Sequence, residues 1–276
     1  MLLLDKSCSA PLSKSGAFIS GLNELARDRE RRNVSLSELA HRPSHLSVLH
    51  NGPFIMPGTL SQVTALDLNR SKILPSNARP LLLRFSGVTS ESSLIWKAGD
   101  DLATDQLVVS LGRVMNAIWK AAGLSAFVVD YHVAPTGHRV GAIEMVPDCT
   151  SLGKIQGNWS GAFKNGAIVA WLKSDECRAK QSGDWSQVIQ RFSSSLAGAC
   201  VFEYVLGLGD RHCDNLLMRP TGEIFHIDFG CSFGRDFGMA QVCLFVLYCL
   251  FCFVLFCFNL MFCLFFCFPF RTFRSL

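Results

Sequence analysis

The sequence predicts an α+β chain in which an antiparallel sheet precedes a mainly helical part. Three observations predict this. Between residues 73 and 146, short apolar runs alternate with turn residues, as antiparallel strands require. Two longer segments, Leu107 to Ala122 and Trp185 to Cys200, repeat apolar residues at helical spacing. After them, Tyr204 to Arg235 (YVLGLGDRHCDNLLMRPTGEIFHIDFGCSFGR) sets aspartates, two histidines and an asparagine between apolar runs, which reads as a loop between two short strands.

With 276 residues the chain is long enough for one large or two small domains. Half of its 12 cysteines and half of its 22 phenylalanines lie after residue 240, so the composition of the remainder is that of an ordinary soluble protein. The other cysteines, Cys8, Cys149, Cys177, Cys200, Cys213 and Cys231, show no C-x-x-C spacing, which argues against a zinc site or a disulfide framework. The net charge of +4 is modest, and its densest run, Arg27-Asp28-Arg29-Glu30-Arg31-Arg32, suits a solvated helix face better than a nucleic-acid site.

Residues 1–14, Ser-rich with Pro11, are expected to be disordered. Phe18, Ile19, Leu22 and Leu25, then Val34, Leu36 and Leu39, predict helical segments. Pro43, Asn51-Gly52-Pro53 and Pro57-Gly58 break the path that follows into loops and short strands. Ile73 to Pro80 is a turn leading into the apolar run Leu81 to Phe85, hence a hairpin. Leu94 to Lys97 reads as a strand, and Asp100 and Asp101 as the start of the next helix. That helix would bury Leu107, Val108, Leu111, Val114, Met115, Ile118, Trp119 and Ala122, and stop at Gly123. Phe127 to Val133 and Val140 to Val146 predict an antiparallel pair turning at Pro135-Thr136-Gly137. Asp184 would cap a helix carrying Trp185, Val188, Ile189, Phe192, Leu196, Ala199 and Cys200. His45, His50 and His132 have no partner at an informative spacing.

Phosphoryl transfer needs a group to orient or deprotonate the attacking hydroxyl, and oxygen ligands that hold Mg²⁺ against the nucleotide phosphates. G-D-R-H-x-x-N followed at short spacing by H-I-D-F-G supplies both: Asp210 and His212 for the hydroxyl, Asn215 and Asp228 for the metal. A lone D-F-G would be weak, and the bland reading makes these turn and strand-end residues; the joint pattern is specific. It resembles the catalytic and metal-binding loops of the phosphoinositide 3-kinase and 4-kinase superfamily, which includes related large protein kinases. Ordinary protein kinases carry H-R-D before D-F-G instead.

The resemblance covers roughly residues 70 to 238 and implies a two-lobed, protein-kinase-like lipid kinase fold. An N-lobe would span 15–146, with an antiparallel sheet and a preceding helical segment, and an incomplete, mainly helical C-lobe would span 147–238. Lys97-Ala98-Gly99-Asp100-Asp101-Leu102-Ala103-Thr104-Asp105 resembles the family's K-x-G-D-D-L-R-Q-D, with Ala103 and Thr104 replacing Arg and Gln. The resemblance puts Lys97 on the nucleotide phosphates, where a flexible point charge is useful, and Asp105 at the back of the pocket with Tyr131. Ser76 matches the serine of the phosphate-covering loop, although Ala78 and Leu82 stand where the family commonly has lysine and tryptophan. Gly141 to Val146 resembles the hinge, where backbone groups of Glu144 and Val146 would meet the adenine edge, with Ile143, Leu217 and Ile227 as further nucleotide contacts. The subclass features are mixed: Ser151 to Gln156 and Ala167 to Lys173 look like class I, while Cys213 to Leu217 and Phe233 to Asp236 look more like class III.

The activity this implies is transfer of the ATP γ-phosphoryl to the inositol ring of a phosphatidylinositol, dependent on Mg²⁺, by a cytoplasmic protein peripheral at a membrane surface. No nucleic-acid partner is expected, and a regulatory subunit is not legible. The alternatives are a serine/threonine protein kinase of the related superfamily, or an inactive, truncated nucleotide-binding or membrane-tethered remnant. The last arises because the family pattern stops after Asp228-Phe229-Gly230, where an activation loop and further helices would follow. Their loss is expected to leave Leu196, Val205 and Ile224 uncovered. Residues 239–276 instead form an apolar tail, uncharged from Val242 to Phe270. That span is long enough to cross a bilayer. Its Phe, Leu, Cys, Val and Tyr also share thymine-rich codons, and we favour a non-native continuation over a membrane anchor.

Overall fold

The structure, a computed structural model, describes residues 6–28, 36, 38, 54–56, 62–75, 78–87, 92–157 and 166–234. The apolar tail, Ser76, His45 and His50 lie outside the described residues. Helix α1 (Lys6–Arg27) opens the chain, so the stretch expected to be disordered is helical from Lys6 onward. Phe18, Leu22, Leu25 and Ala26 sit at i, i+4, i+7 and i+8, and all are buried against a sheet.

That sheet has seven strands: β1 (Phe54–Ile55), β2 (Gln62–Leu66), β3 (Lys72–Ile73), β4 (Leu81–Gly87), β5 (Ser92–Ala98), β6 (Val133–Gly137) and β7 (Val140–Glu144). The order is β1-β2-β4-β5-β7-β6, with β3 paired to β4, and every pairing is antiparallel. The expected hairpin is present, with Ile73 opposite Leu81. Leu81, Leu83, Phe85, Leu94 and Trp96 alternate onto the face that α1 covers. The Trp96 indole N–H donates to Asn23 Oδ1 at 3.0 Å, so the largest buried side chain also ties the sheet to α1.

Helix α2 (Leu102–Ala121) starts where expected: the Asp101 carboxylate accepts from the N–H of Ala103, and Gly123, at φ +71°, follows its end. Its buried face differs in part from the predicted one: Val108, Leu111 and Met115 pack into the core as expected. Leu102, Asp105, Val108, Val109 and Gly112 face inward, whereas Leu107, Val114 and Ile118 are 51%, 55% and 59% exposed. The reason is Gly112. A side chain there would press on Val128 and Phe202, so the helix makes its closest approach on that side.

Residues 127–132 are extended but form no strand, contrary to expectation. Their backbone groups are claimed by side chains of α2. The Asn116 amide both donates to Val128 O and accepts from Val128 N at 2.8 Å, and Arg113 donates to Tyr131 O at 2.8 Å. The antiparallel pair exists as β6–β7, but it turns at His138-Arg139. Pro135 therefore sits inside β6, which is tolerated because β6 is an edge strand.

The second part comprises β8 (Thr150–Ser151), α3 (Leu152–Gln156), α4 (Ala167–Leu172), α5 (Asp175–Arg178), α6 (Trp185–Leu206), β9 (Leu216–Met218) and β10 (Ile224–His226). Asp184 caps α6 by accepting from Gln187 N, and Val188, Phe192, Leu196 and Ala199 lie on its buried side. Leu196 and Ile224 are thus covered by this part's own core, and only Val205, 60% exposed, is left out. The functional loop runs from the end of α6 to β9, rather than between two strands, because α6 continues through Leu206 before Gly207, at φ +54°, ends it. Among the described residues no helix is long and apolar enough to cross a membrane.

Candidate functional site

The site forms where the end of β5, the start of α2, the hinge after β7 and the two loops flanking the β9–β10 hairpin converge. Strand β5 delivers Lys97, whose ammonium lies 3.5 Å from the Asp228 carboxylate and also pairs with Asp100. Burial works against the ammonium charge, but Asp228 and Asp100 overcome that and hold its pKa above the ordinary lysine value. Asp105, one turn into α2, is 6% exposed and accepts from Phe229 N at 3.1 Å. Burial pushes its pKa up to about 6, with Asp228 adding to the rise and the Phe229 N–H opposing it. Tyr131 donates from its hydroxyl to His226 O at 3.3 Å, and burial raises its phenol well above the usual range.

Tyr131, Ile143, Val146, Leu217 and Ile227 belong to one apolar cluster with Phe225 and Phe229. Such a cluster offers a dry surface for a flat ring. The Glu144 N–H is bonded to His132 O at 2.8 Å, and its carboxylate holds His132 twice, at the backbone N (2.9 Å) and at Nδ1 (2.6 Å). His132, for which the sequence suggested no partner, therefore braces the hinge.

In the loop after α6, Asn215 donates through Nδ2 to Asp210 O at 2.9 Å, and its own carbonyl accepts from Ile227 N at 3.0 Å. The amide Oδ1 of Asn215 is thus the end left to face a cation. Asp210 and Asp228 both take left-handed conformations, φ +55° and +61°, unusual for non-glycine residues. His212 is exposed and accepts from Asp214 N through Nδ1 at 3.2 Å, an arrangement that assigns the remaining ring proton to Nε2. Among the described residues no group of three or more His, Cys, Asp or Glu side chains converges on one point. Mg²⁺ binds through one or two carboxylates while phosphates and water complete its shell, and the oxygen donors available for it here are the Asp228 carboxylate and the Asn215 amide.

Three functional groups had no assigned role in the sequence reading. Arg211, 8% exposed, donates to Gly209 O, to Ile227 O at 2.8 Å and to Asp228 O, with its guanidinium 5.7 Å from the Phe229 ring centre. Glu203 and His226 are buried beneath it, with His226 Nε2 3.7 Å from Glu203 Oε2. Burial raises Glu203 to about 8, and burial together with Arg211 lowers His226 to about 3. Both are neutral at pH 7, so their approach is not an ion pair. The available signal was Arg211 itself, a cation between two apolar runs that must be buried with partners.

The residues 91–242, more than half of the chain, match the family model for phosphatidylinositol 3- and 4-kinase. The chain is 32% identical over 248 residues to Phosphatidylinositol 3-kinase 1 of Dictyostelium discoideum, covering 83% of this chain and 15% of that protein. It is 33% identical over 239 residues to the human phosphatidylinositol 4-phosphate 3-kinase C2 domain-containing subunit beta, covering 85% of this chain and 13% of that protein. Phosphatidylinositol 3-kinase piki-1 of Caenorhabditis elegans is 36% identical over 233 residues, 83% of this chain and 13% of that protein. The chain thus spans about a seventh of the length of these curated relatives. The loops joined at Asp228 are those of a shared family, and the chain belongs to the phosphatidylinositol 3- and 4-kinase family.

Proposed function

We propose that this chain carries the nucleotide-binding and phosphoryl-transfer centre of a phosphatidylinositol 3-kinase, acting on the inositol ring of a membrane phosphoinositide with ATP and Mg²⁺. The observation that carries the reading is the convergence of Lys97 and Asp105 on the Asp228-Phe229 stretch, more than 120 residues further along the chain, through the 3.5 Å Lys97–Asp228 and 3.1 Å Asp105–Phe229 contacts. Lys97 meets the nucleotide phosphates, and the Ile143, Val146, Leu217 and Ile227 surface takes the adenine. Asp228 and Asn215 hold Mg²⁺, which when bound neutralises charge on the transferring phosphoryl.

The His212 tautomer divides the labour on the hydroxyl. With Nδ1 accepting from Asp214, His212 offers an N–H from Nε2, and so donates to phosphoryl oxygens. The role of accepting or orienting the inositol hydroxyl then falls to Asp210. The names of the relatives, a phosphatidylinositol 3-kinase and a phosphatidylinositol 4-phosphate 3-kinase subunit, support the lipid substrate over a protein one. Incubating the full chain with labelled Mg-ATP and phosphatidylinositol vesicles tests this. The expected product is a lipid phosphorylated at the ring 3-position; label appearing in protein alone would move the assignment to a protein kinase.

A further inference from the structure

Two backbone segments must keep a fixed spacing if Asn215 and Asp228 are to share one cation. They belong to separate loops, and Asp228 sits in a left-handed conformation that is unusual for a non-glycine residue. Something must hold that geometry. The backbone joins the two loops at Ile227 N to Asn215 O and at Gly209 N to Cys231 O, and a side chain that spans both is Arg211. Its Nε donates to Gly209 O on the first loop, while its two terminal nitrogens donate to Ile227 O and Asp228 O on the second. Phe229, itself edge-on to Phe202, closes the face of the guanidinium. The planar fork fits three carbonyls aimed along different directions, and a lysine ammonium on a flexible stem could not span them.

We propose that Arg211 is a positioning residue for the metal site: by clasping the carbonyls of Gly209, Ile227 and Asp228 it sets the distance between the loop bearing Asn215 and the loop bearing Asp228. The proposal rests on the assignment of Asn215 and Asp228 as Mg²⁺ holders and adds the residue on which their spacing depends. Mg²⁺ demands near-octahedral geometry at about 2.0–2.1 Å, whereas Ca²⁺ accepts flexible arrangements at about 2.3–2.6 Å. Loosening the clasp therefore weakens Mg²⁺ more than Ca²⁺. A loss of fold alone does not discriminate between the two ions.

The test is binding of a fluorescent ATP analogue to the full chain and to its Arg211→Lys variant, in EDTA and across Mg²⁺ and Ca²⁺ titrations, with thermal unfolding recorded alongside. In the variant the Mg²⁺ concentration giving half-maximal enhancement rises on the order of 10-fold, as for other residues that orient metal ligands. The Ca²⁺ value rises by no more than about 3-fold, since that ion tolerates the looser spacing. Metal-free nucleotide binding is kept. Equal shifts for both ions, no shift, or a proportional loss in EDTA overturns the proposal. Where Arg211→Lys fails to fold, Phe229→Leu, which removes the ring against the guanidinium, serves instead: a Mg²⁺-selective shift supports the clasp, and none overturns it. If Asp228→Asn leaves the wild-type Mg²⁺ response intact, the assignment of the metal holders has failed, whatever Arg211 does.

Discussion

Two acid–base pairs in this molecule have similar separations and opposite chemistry. Lys97 and Asp228 stand 3.5 Å apart with side chains 17% and 49% exposed, and His226 and Glu203 stand 3.7 Å apart with side chains 3% and 5% exposed. Water reaches the first pair, and Lys97 keeps its charge, its pKa held up by Asp228 and Asp100. The second pair has no such access, and both groups lose their charge to avoid desolvation. Arg211 lies between these regimes. It keeps its charge under cover because three carbonyls and the carboxylates of Asp228 and Asp210 oppose the burial that lowers its pKa. Distance alone therefore says little about whether an acid and a base form an ion pair; access to water, or a full set of acceptors where water is excluded, decides it.

The largest expected effect is on the wet pair. Asp228→Ala should reduce Mg-ATP-dependent lipid phosphorylation by about 10²–10³-fold, the scale of losing one preorganised electrostatic group. Its melting temperature should stay within a few degrees of wild type, because the side chain is half exposed. A large loss of stability in this variant would break the contrast between the two pairs.

Next is Glu203→Gln, which removes the acid from the dry pair. Burial raises the folded-state pKa of Glu203 to about 8 from its ordinary 4.5. The unfolded chain releases this proton first, so stability is fully present below about pH 4.5 and declines as pH rises towards 8. Glu203→Gln should abolish that part of the decline and stabilise the protein at pH 8 by on the order of 1–3 kcal/mol. Urea unfolding at pH 5 and pH 8 reads this directly; a variant with the wild-type slope would mean that Glu203 is ionised in the fold.

Asp105 sharpens the comparison from between the two pairs. It is as buried as the dry pair but hydrogen-bonded to Phe229 N, and its pKa is raised only to about 6 from 3.8. Asp105→Asn should keep the hydrogen bond through its amide oxygen and flatten the stability profile between about pH 4 and pH 6, with a gain at pH 7 on the order of 1 kcal/mol. Loss of stability at pH 7 would show instead that the charged carboxylate is needed there.

Much of the architecture was legible in local pattern. Asp101 and Asp184 announced their helices because a short oxygen acceptor before an apolar period satisfies free N–H groups. The Ile73–Leu81 hairpin followed from turn residues beside an apolar run. The errors arose where a distant segment overrode local preference. Residues 127–132 are β-branched and apolar enough for a strand, yet Asn116 and Arg113 take the hydrogen bonds that a neighbouring strand would have made. Leu107, Val114 and Ile118 match a helical period as well as Val108 does, but only Gly112 permits close approach, and it turns the other side inward.

By itself the sequence determined where the capped helices begin and where the Ile73–Leu81 hairpin turns, since turn and cap residues act on neighbours a few positions away. The tertiary structure decided which of the buried groups remain charged and which carbonyls the three Arg211 nitrogens meet. Those outcomes depend on desolvation and on carbonyls contributed by residues far along the chain, and neither is encoded in any local stretch.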